Sequence, residues 1–376
     1  MKIVLTFLRF LVGLLFIFSG LIKANDPLGL GYKMQEFFEL WNLSQFNGTT
    51  LLISILMIFL EIIVGVAILI GWRMQFFTWL LLLLILFFTF LTGYAYYSDK
   101  FKNCGCFGDC LPITPLTSFV KDLLLLAFII VLFYYRNKIH SSCSKKLNLF
   151  IISLTTLGSF LIQFHVLYHL PIIDCLPFKK GNNLIDKMKI PLNAVPDSIA
   201  MTFVYEKDGS EIEFTADKFP LDFNDSLYKF KNRYDKIIRK GKNNEPPIKG
   251  FSLTTSENID VTSELLSIEN PVAILFVERF KKNIPAWLDD FNSTLEVLNQ
   301  KNIKLYIVTT DYENAINWMK SKSLIVPTIL RCDATAIRTA ARHNPTFYIL
   351  KKGIVVGKWA SADLQHANEF ILSKLR

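Results

Sequence analysis

Five apolar stretches, roughly residues 3–22, 51–71, 75–97, 119–135 and 148–170, are each long enough to cross a bilayer, which takes ~20 residues at about 1.5 Å rise. In hydrocarbon, backbone polar groups must be satisfied within the segment, which restricts the first half of the chain to a helical bundle. The second half obeys different rules. Residues 1–180 hold 14 Lys/Arg and 8 Asp/Glu, whereas residues 181–376 hold 27 and 24. With 52% hydrophobic residues and 33 Phe, disorder, collagen and a disulfide-rich miniprotein are excluded. What remains is a membrane half joined to a soluble half. The basic excess of the first half lies in short loops, where it reports insertion orientation and not nucleic-acid affinity.

The first stretch carries Arg9 inside its apolar run and ends in Ser19-Gly20-Leu21-Ile22-Lys23 without a small-residue cleavage site, so it reads as a retained helix rather than a signal peptide. Between the fourth and fifth stretches stand Arg136, Lys138, Lys145 and Lys146 and no acid, which marks that loop as cytoplasmic. The expected topology is a multi-pass protein of a bacterial inner membrane, with a cytoplasmic N-terminus and a periplasmic C-terminal half. Cys104, Cys106, Cys110, Cys175 and Cys332 would then lie in an oxidising compartment, and Cys143 on the cytoplasmic side.

Arg9 and Glu61 fall within spans, where an ionisable group costs about 2.5–3.5 kcal/mol on insertion scales unless it is paired or hydrated. They are expected to face the bundle interior together with Lys121 and Asp122. The residues leave two readings open: a charge network that locks helix packing, or a proton or quinone-headgroup site.

The run Arg9-x3-Gly13-x2-Phe16-x2-Ser19-Gly20-x2-Lys23, the Glu61-x3-Gly65 span followed by Gly71 and Arg73, and the loop Asn103-Cys104-Gly105-Cys106-Phe107-Gly108 resemble the DoxX and MauE group of membrane proteins. The resemblance covers about residues 1–140 and implies a four-helix membrane bundle linked to redox work. Members of the group are associated with quinone-linked sulfur oxidation and with maturation of a disulfide-rich periplasmic dehydrogenase. The chain also resembles a bacterial family that joins such a bundle to a periplasmic thioredoxin-like domain through a fifth helix and a segment like Leu170-Pro171-Ile172-Ile173-Asp174. That family has an aromatic residue and an Arg after the Asp, where this chain has Cys175 and Leu176. The departure argues against Cys175 as an essential family residue.

Three cysteines within seven residues, Cys104, Cys106 and Cys110, suit thiol–disulfide exchange, because a mixed disulfide needs a second thiol close by. A Cys104–Cys106 bridge would close a tight loop, for which Gly105 and Gly108 supply backbone freedom. A purely structural disulfide competes with this reading. So does a metal or haem site drawing on His165, His169 and Cys175, although no second Cys-x-x-Cys completes a standard zinc pattern. No metal site is assigned.

After Cys175 the pattern becomes charged and alternating. Residues 202–215 read as two strands around Asp208-Gly209, a strong hairpin signal, and residues 216–245 as a polar helix or ordered linker. Strands at 273–277, 304–308, 346–350 and 354–356 alternate with helices near 285–300 and 312–320, the pattern of a mixed sheet covered by helices. The segment Asn344-Pro345-Thr346-Phe347-Tyr348-Ile349 resembles the late hairpin of thioredoxin-like domains of the membrane-tethered TlpA type. That resemblance implies a cis Pro345 and a partner-binding surface at Pro345 and Thr346 that captures extended polypeptide by strand addition. Thiol exchange in that fold needs a Cys-x-x-Cys after the first core strand. Here Glu278-Arg279-Phe280-Lys281-Lys282-Asn283-Ile284-Pro285 stands there without cysteine. Cys332 is expected to be an idle, buried thiol.

The expected organisation is a transmembrane bundle over 1–140, a cytoplasmic loop and fifth span over 141–181, a hairpin and linker over 182–245, and an α/β thioredoxin-like domain over 246–376. The expected function is periplasmic thiol–disulfide or quinone-linked redox chemistry, with Cys104, Cys106 and Cys110 exchanging electrons and the thioredoxin-like domain binding a periplasmic client. No cofactor is assigned beyond quinone as a candidate acceptor. The alternative is a non-enzymatic scaffold for a periplasmic partner, with a structural cysteine loop. No nucleotide-binding glycine loop or hydrolase triad is present.

Overall fold

The structure is a computed structural model describing residues 2–101, 105, 107–141, 143–239, 241–280, 287–321 and 327–375. Five apolar helices long enough to span a membrane form the first half: α1 (Lys2–Ala24), α3 (Thr50–Ile70), α4 (Met74–Ser98), α5 (Pro115–Tyr134) and α6 (Lys145–Tyr168). Between the first two lies α2 (Pro27–Leu40), a helix in the connection between the first two apolar stretches. Its start is written in the sequence: Pro27 opens it, and the Asp26 carboxylate accepts from the Gly29 amide at 2.9 Å, as an N-cap does. Thr114 and Ser144 cap α5 and α6 in the same way. Gly71, at φ +73°, closes α3 in the left-handed conformation, which glycine adopts without a Cβ penalty.

The crossing of α1 and α3 is set by glycines. A Cβ on Gly13 would lie 3.0 Å from the Gly65 carbonyl oxygen, and one on Gly65 would lie 2.9 Å from that of Gly13. Small residues let membrane helices approach backbone to backbone. This contact fixes which residues of the two helices face each other further along.

The soluble half contains α7 (Leu184–Lys187), a sheet of β1 (Ser198–Lys207), β2 (Ser210–Thr215) and β3 (Lys229–Arg239), and a domain built on β4–β8. The hairpin expected at 202–215 is present, with Asp208 and Gly209 both at positive φ. The linker reading of 216–245 is corrected. Residues 229–239 pair antiparallel with β1, giving the order β2-β1-β3. All of β3 is solvent-exposed, so its polar composition, which hid it in the sequence, belongs to an edge strand that buries neither face.

The last domain orders its strands β6-β5-β4-β7-β8. Here β4 (Val272–Phe276), β5 (Lys304–Thr309) and β6 (Thr328–Arg331) run parallel, while β7 (Thr346–Lys351) and β8 (Ile354–Ala360) are antiparallel. This is a thioredoxin-like sheet. Period-2 alternation buries both faces. Ile274, Phe276 and Tyr348 pack on one side under α8 (Thr262–Ser267) and α11 (Ala334–Ala340). Ala273, Leu275 and Phe347 pack on the other under α9 (Leu288–Gln300), α10 (Tyr312–Ser321) and α12 (Leu364–Lys374). Phe178 and Leu184, from the segment leaving α6, also enter the first core, so the domain draws on residues well before 246.

This domain docks on the bundle through the loop before β7. Arg342 is buried and bonds Asp26 at 2.8 Å and Asp109 at 2.5 Å. Burial opposes its charge, but the two carboxylates outweigh that and hold the guanidinium above its ordinary value. His343 contacts the Leu167 carbonyl oxygen of α6 at 3.0 Å and the Ser361 hydroxyl at 2.9 Å. The carbonyl can only accept, so Nδ1 donates to it and Nε2 accepts from Ser361. Three consecutive residues complete the junction. Ile173 exchanges two hydrogen bonds with the Asn25 side chain at 2.8 and 2.9 Å, Asp174 binds the buried Lys358 at 2.7 Å, and Cys175 is disulfide-bonded to Cys110.

Two predictions follow from this frame. Gly65→Val should lower stability by about 1–3 kcal/mol through overpacking at the helix crossing, whereas Gly48→Ala, with nothing within 4 Å of the new Cβ, should leave the melting temperature in detergent unchanged. Burial, foremost, holds His343 below the ordinary histidine value, so the neutral ring supports docking. That contribution is complete above about pH 6.5 and is lost as pH falls from there through the depressed value. Hydrogen-exchange protection over 340–346, taken relative to the intrinsic rate at each pH, should fall between about pH 7.5 and about pH 5, and less so in His343→Gln, which leaves the neighbouring His169 and Asp363 in place.

Candidate functional site

The end of the bundle that meets the soluble domain carries a buried layer of charge. Ser19 and Lys23, four apart on α1, face Glu61 of α3. Lys23 Nζ lies 2.5 Å from Glu61 Oε1, with the two side chains 3% and 1% exposed. The Ser19 hydroxyl donates to Glu61 Oε2 at 3.1 Å, and the Phe88 ring sits 4.5 Å from the Lys23 ammonium. Beside them Asp122, buried in α5, accepts from Lys121 at 2.5 Å and from Thr92 at 3.0 Å. Both pairs border one small cavity of about 30 Å³, walled by Phe16, Ile85, Leu125 and Phe107, room for about one water.

The cysteine-bearing loop roofs this cavity. The Phe107 ring is tilted against Phe18 at 6.0 Å and stands 5.2 Å from the Lys121 ammonium. Gly105 lies against Lys33, and Gly108 over Ile22; both glycines have positive φ. The next two residues turn to the soluble domain, Asp109 to Arg342 and Cys110 to Cys175. A wider cavity of about 620 Å³ separates α2 from the thioredoxin-like domain, with Tyr32, Lys33, Asp109, Cys175 and Arg338 on its walls. Burial pushes the Tyr32 phenol up, and the Arg338 and Arg342 guanidinium groups each stand 5.4 Å from its ring.

The structure sorts the sequence expectations. Glu61, Lys121 and Asp122 do converge. Arg9 does not join them: it is 14 residues from Lys23, ~21 Å along the helix axis, and lies beside Gly71 and the His140 carbonyl at the opposite end. The partner of Glu61 is Lys23, missed although Ser19-x3-Lys23 puts both on one helical face. Cys104 and Cys106 lie outside the described residues. Cys110 is not a free thiol of a three-cysteine relay, because it is bonded to Cys175. The pairing also withdraws Cys175 from the metal alternative. His165 and His169 adjoin at 4.6 Å, and His169 bonds Asp363 at 2.8 Å. The cysteine pair is 65 residues apart in sequence, and no local signal joins them.

In the thioredoxin-like domain Asn344-Pro345 is cis. Pro345 and Thr346 are buried, and the adjoining His343 meets α6, so the bundle covers part of the surface expected to receive a partner. Glu278, where the fold's cysteine motif begins, pairs with Arg338 at 2.8 Å, and Arg338 reaches Gln35 of α2 at 3.3 Å. Burial pushes the Cys332 thiol up to about 12, which leaves it protonated and unreactive.

Residues 1–135 match the family described as methylamine utilisation protein MauE, and residues 199–240, the three-stranded sheet, match a domain of unknown function, DUF8463. No curated protein matches the chain. Among solved structures, it is similar to BsSco, a member of the Sco family of cytochrome c oxidase assembly proteins, at 13% identity and TM-score 0.27, over 34% of this chain and 91% of that one. It is also similar to the bacterioferritin comigratory protein of Xanthomonas campestris, at 12% identity and TM-score 0.25, over 33% of this chain and 92% of the other. The chain is therefore a multi-pass membrane protein whose first 135 residues match the MauE family and whose C-terminal region has a thioredoxin-like fold.

Proposed function

We propose that this protein is a thiol–disulfide carrier of a bacterial inner membrane, passing electrons from a periplasmic dithiol client to an acceptor in the bilayer, with quinone as the acceptor class. The observation that carries the reading is the position of the cysteine loop: Phe107 roofs the cavity bordered by Glu61 and Asp122, while Cys110, three residues on, is tied to the soluble domain. Thiols on that loop would stand between an aqueous cleft and a buried chamber bordered by two carboxylates. The acid-free loop at 136–147 supports a cytoplasmic placement for the opposite end.

The chemistry balances as two exchanges. A client thiolate attacks a Cys104–Cys106 disulfide, and the client's second thiol resolves the mixed disulfide, leaving the client oxidised and the loop a dithiol. Quinone then takes two electrons and two protons from that dithiol and leaves as quinol, and the loop disulfide re-forms. Glu61 and Asp122 are the carboxylates placed to pass those protons. Cys110–Cys175 stays closed and holds the loop over the chamber. The thioredoxin-like domain lacks thiols of its own at the usual place and acts as the clamp on that loop.

A non-enzymatic scaffold is the second reading, favoured by the missing cysteine motif after β4. Alkylation trapping in intact membranes separates the two. A carrier shows Cys104 and Cys106 partly reduced, in a ratio that follows quinone depletion, with Cys110 and Cys175 protected throughout. Uniform oxidation of all four under both conditions would refute the carrier.

Glu61→Gln should slow client oxidation on the order of 10²-fold, the usual scale for a lost proton-transfer group. The paired change Lys23→Met with Glu61→Leu should recover stability without activity, since a buried ion pair can be replaced by apolar residues. Melting temperature and oxidation rate measured on the same preparations check both. Recovery of activity in the double variant would remove Glu61 from the mechanism.

A further inference from the structure

The end of the bundle away from the soluble domain has a cavity of about 840 Å³ between the α3–α4 turn and the α5–α6 connection. Its charge is one-sided. No Asp or Glu occurs in residues 62–98 or 123–173, whereas Arg73, Arg136 and Lys145 line the space. Among the described residues none of these three has a carboxylate partner. Lys145 and Lys146 also open α6, placing two cations at the helix end whose dipole favours anions. The guanidinium groups lie against aromatic rings, Arg73 at 5.4 Å from Trp72 and Arg136 at 4.0 Å from Phe133; Arg136 also donates one N–H to the Phe133 carbonyl at 3.0 Å, and the remaining N–H groups are available to a ligand.

A second, independent feature points to what binds there. Asn148, 1% exposed, lines the same cavity. Its amide nitrogen donates to Ser141 Oγ at 2.7 Å and to the Cys143 carbonyl at 3.2 Å, and because that carbonyl can only accept, the amide orientation is fixed. Its Oδ1 is buried without a hydrogen-bond partner, which costs free energy unless a donor arrives. Orientation by positive charge alone needs neither a cavity nor an orphaned acceptor. The space opens sideways past Phe76 and Leu149, each 58% exposed, on the faces that meet lipid.

We propose that this cavity binds an anionic phosphoglycerol lipid, its phosphodiester held by Arg73, Arg136 and Lys145, its headgroup hydroxyl donating to Asn148 Oδ1, and its acyl chains lying along Phe76 and Leu149. Basic pockets between transmembrane helices recognise anionic headgroups in this way.

The test is native mass spectrometry of the full-length protein in neutral detergent, titrated with phosphatidylglycerol, phosphatidic acid and phosphatidylcholine. Wild type should retain phosphatidylglycerol at least tenfold more tightly than phosphatidylcholine. The variant Arg73→Gln/Arg136→Gln/Lys145→Gln should lose about 100-fold, roughly fivefold per cation. Asn148→Leu should abolish a preference for phosphatidylglycerol over phosphatidic acid while keeping phosphate binding. Equal retention of the neutral lipid, or equal binding by the triple variant, overturns the proposal. Displacement of phosphatidylglycerol by millimolar inorganic phosphate would assign the site to a soluble anion and also overturn it. Should the triple variant fail to fold, wild type decides: its melting temperature must rise with phosphatidylglycerol and not with phosphatidylcholine, and the rise must shrink with added salt.

Discussion

The ion pair between Lys23 and Glu61 is the interaction around which the end of the bundle facing the soluble domain is organised. Withdrawing two charges from water costs several kcal/mol each, and their attraction offsets this only with close geometry and further hydrogen bonds. Here the pair is 2.5 Å apart, Ser19 satisfies the second carboxylate oxygen, and Phe88 faces the ammonium. The geometry is available because Gly13 and Gly65 let α1 and α3 touch. A single bulky side chain at that crossing would separate the charges while leaving them buried. The second pair, Lys121 with Asp122, completes the chamber that the cysteine loop covers.

Much of this architecture was legible in the sequence because the bilayer imposes it. Five long apolar runs can be little other than five helices, and the short continuous apolar runs at 273–277 and 346–350 mark the central strands of a mixed sheet buried on both faces. Two kinds of element escaped. The amphipathic α2 follows a span so closely that hydropathy merges it into a loop, though Asp26-Pro27 was a readable helix start. The strand β3 buries neither face, so the periodicity that reveals strands was absent. At the site, grouping Glu61 with Lys121 and Asp122 followed from the cost of an unpaired charge inside a span. Adding Arg9 ignored the rise along α1, which puts it at the opposite end. Cys110 with Cys175 was beyond reach, because partners 65 residues apart meet only through tertiary structure.

The thioredoxin-like domain keeps the fold's cis proline but not its chemistry. Where a reactive cysteine pair would stand, Glu278 binds Arg338, and the remaining core thiol at Cys332 is held protonated by burial. The charged groups beside that position bind the bundle instead, Arg338 reaching Gln35 of α2 and Arg342 reaching Asp26 and Asp109. The two halves are thus complementary: one carries cysteines on a glycine-rich loop that is tied to the soluble half at Cys110, and the other has a sheet whose one described cysteine, Cys332, is buried.

Residues 173, 174 and 175 are each fastened to a different part of the molecule: α1, β8 and the loop before α5. Fastenings spaced one residue apart span only ~10 Å of extended chain, so they act as a single rivet rather than as three independent tethers. A domain riveted this way has no free stalk on which to swing away from the bundle. Cys175, the last of the three, also lines the cleft between α2 and the sheet, so the width of that cleft is set at the point where the chain leaves the membrane helices.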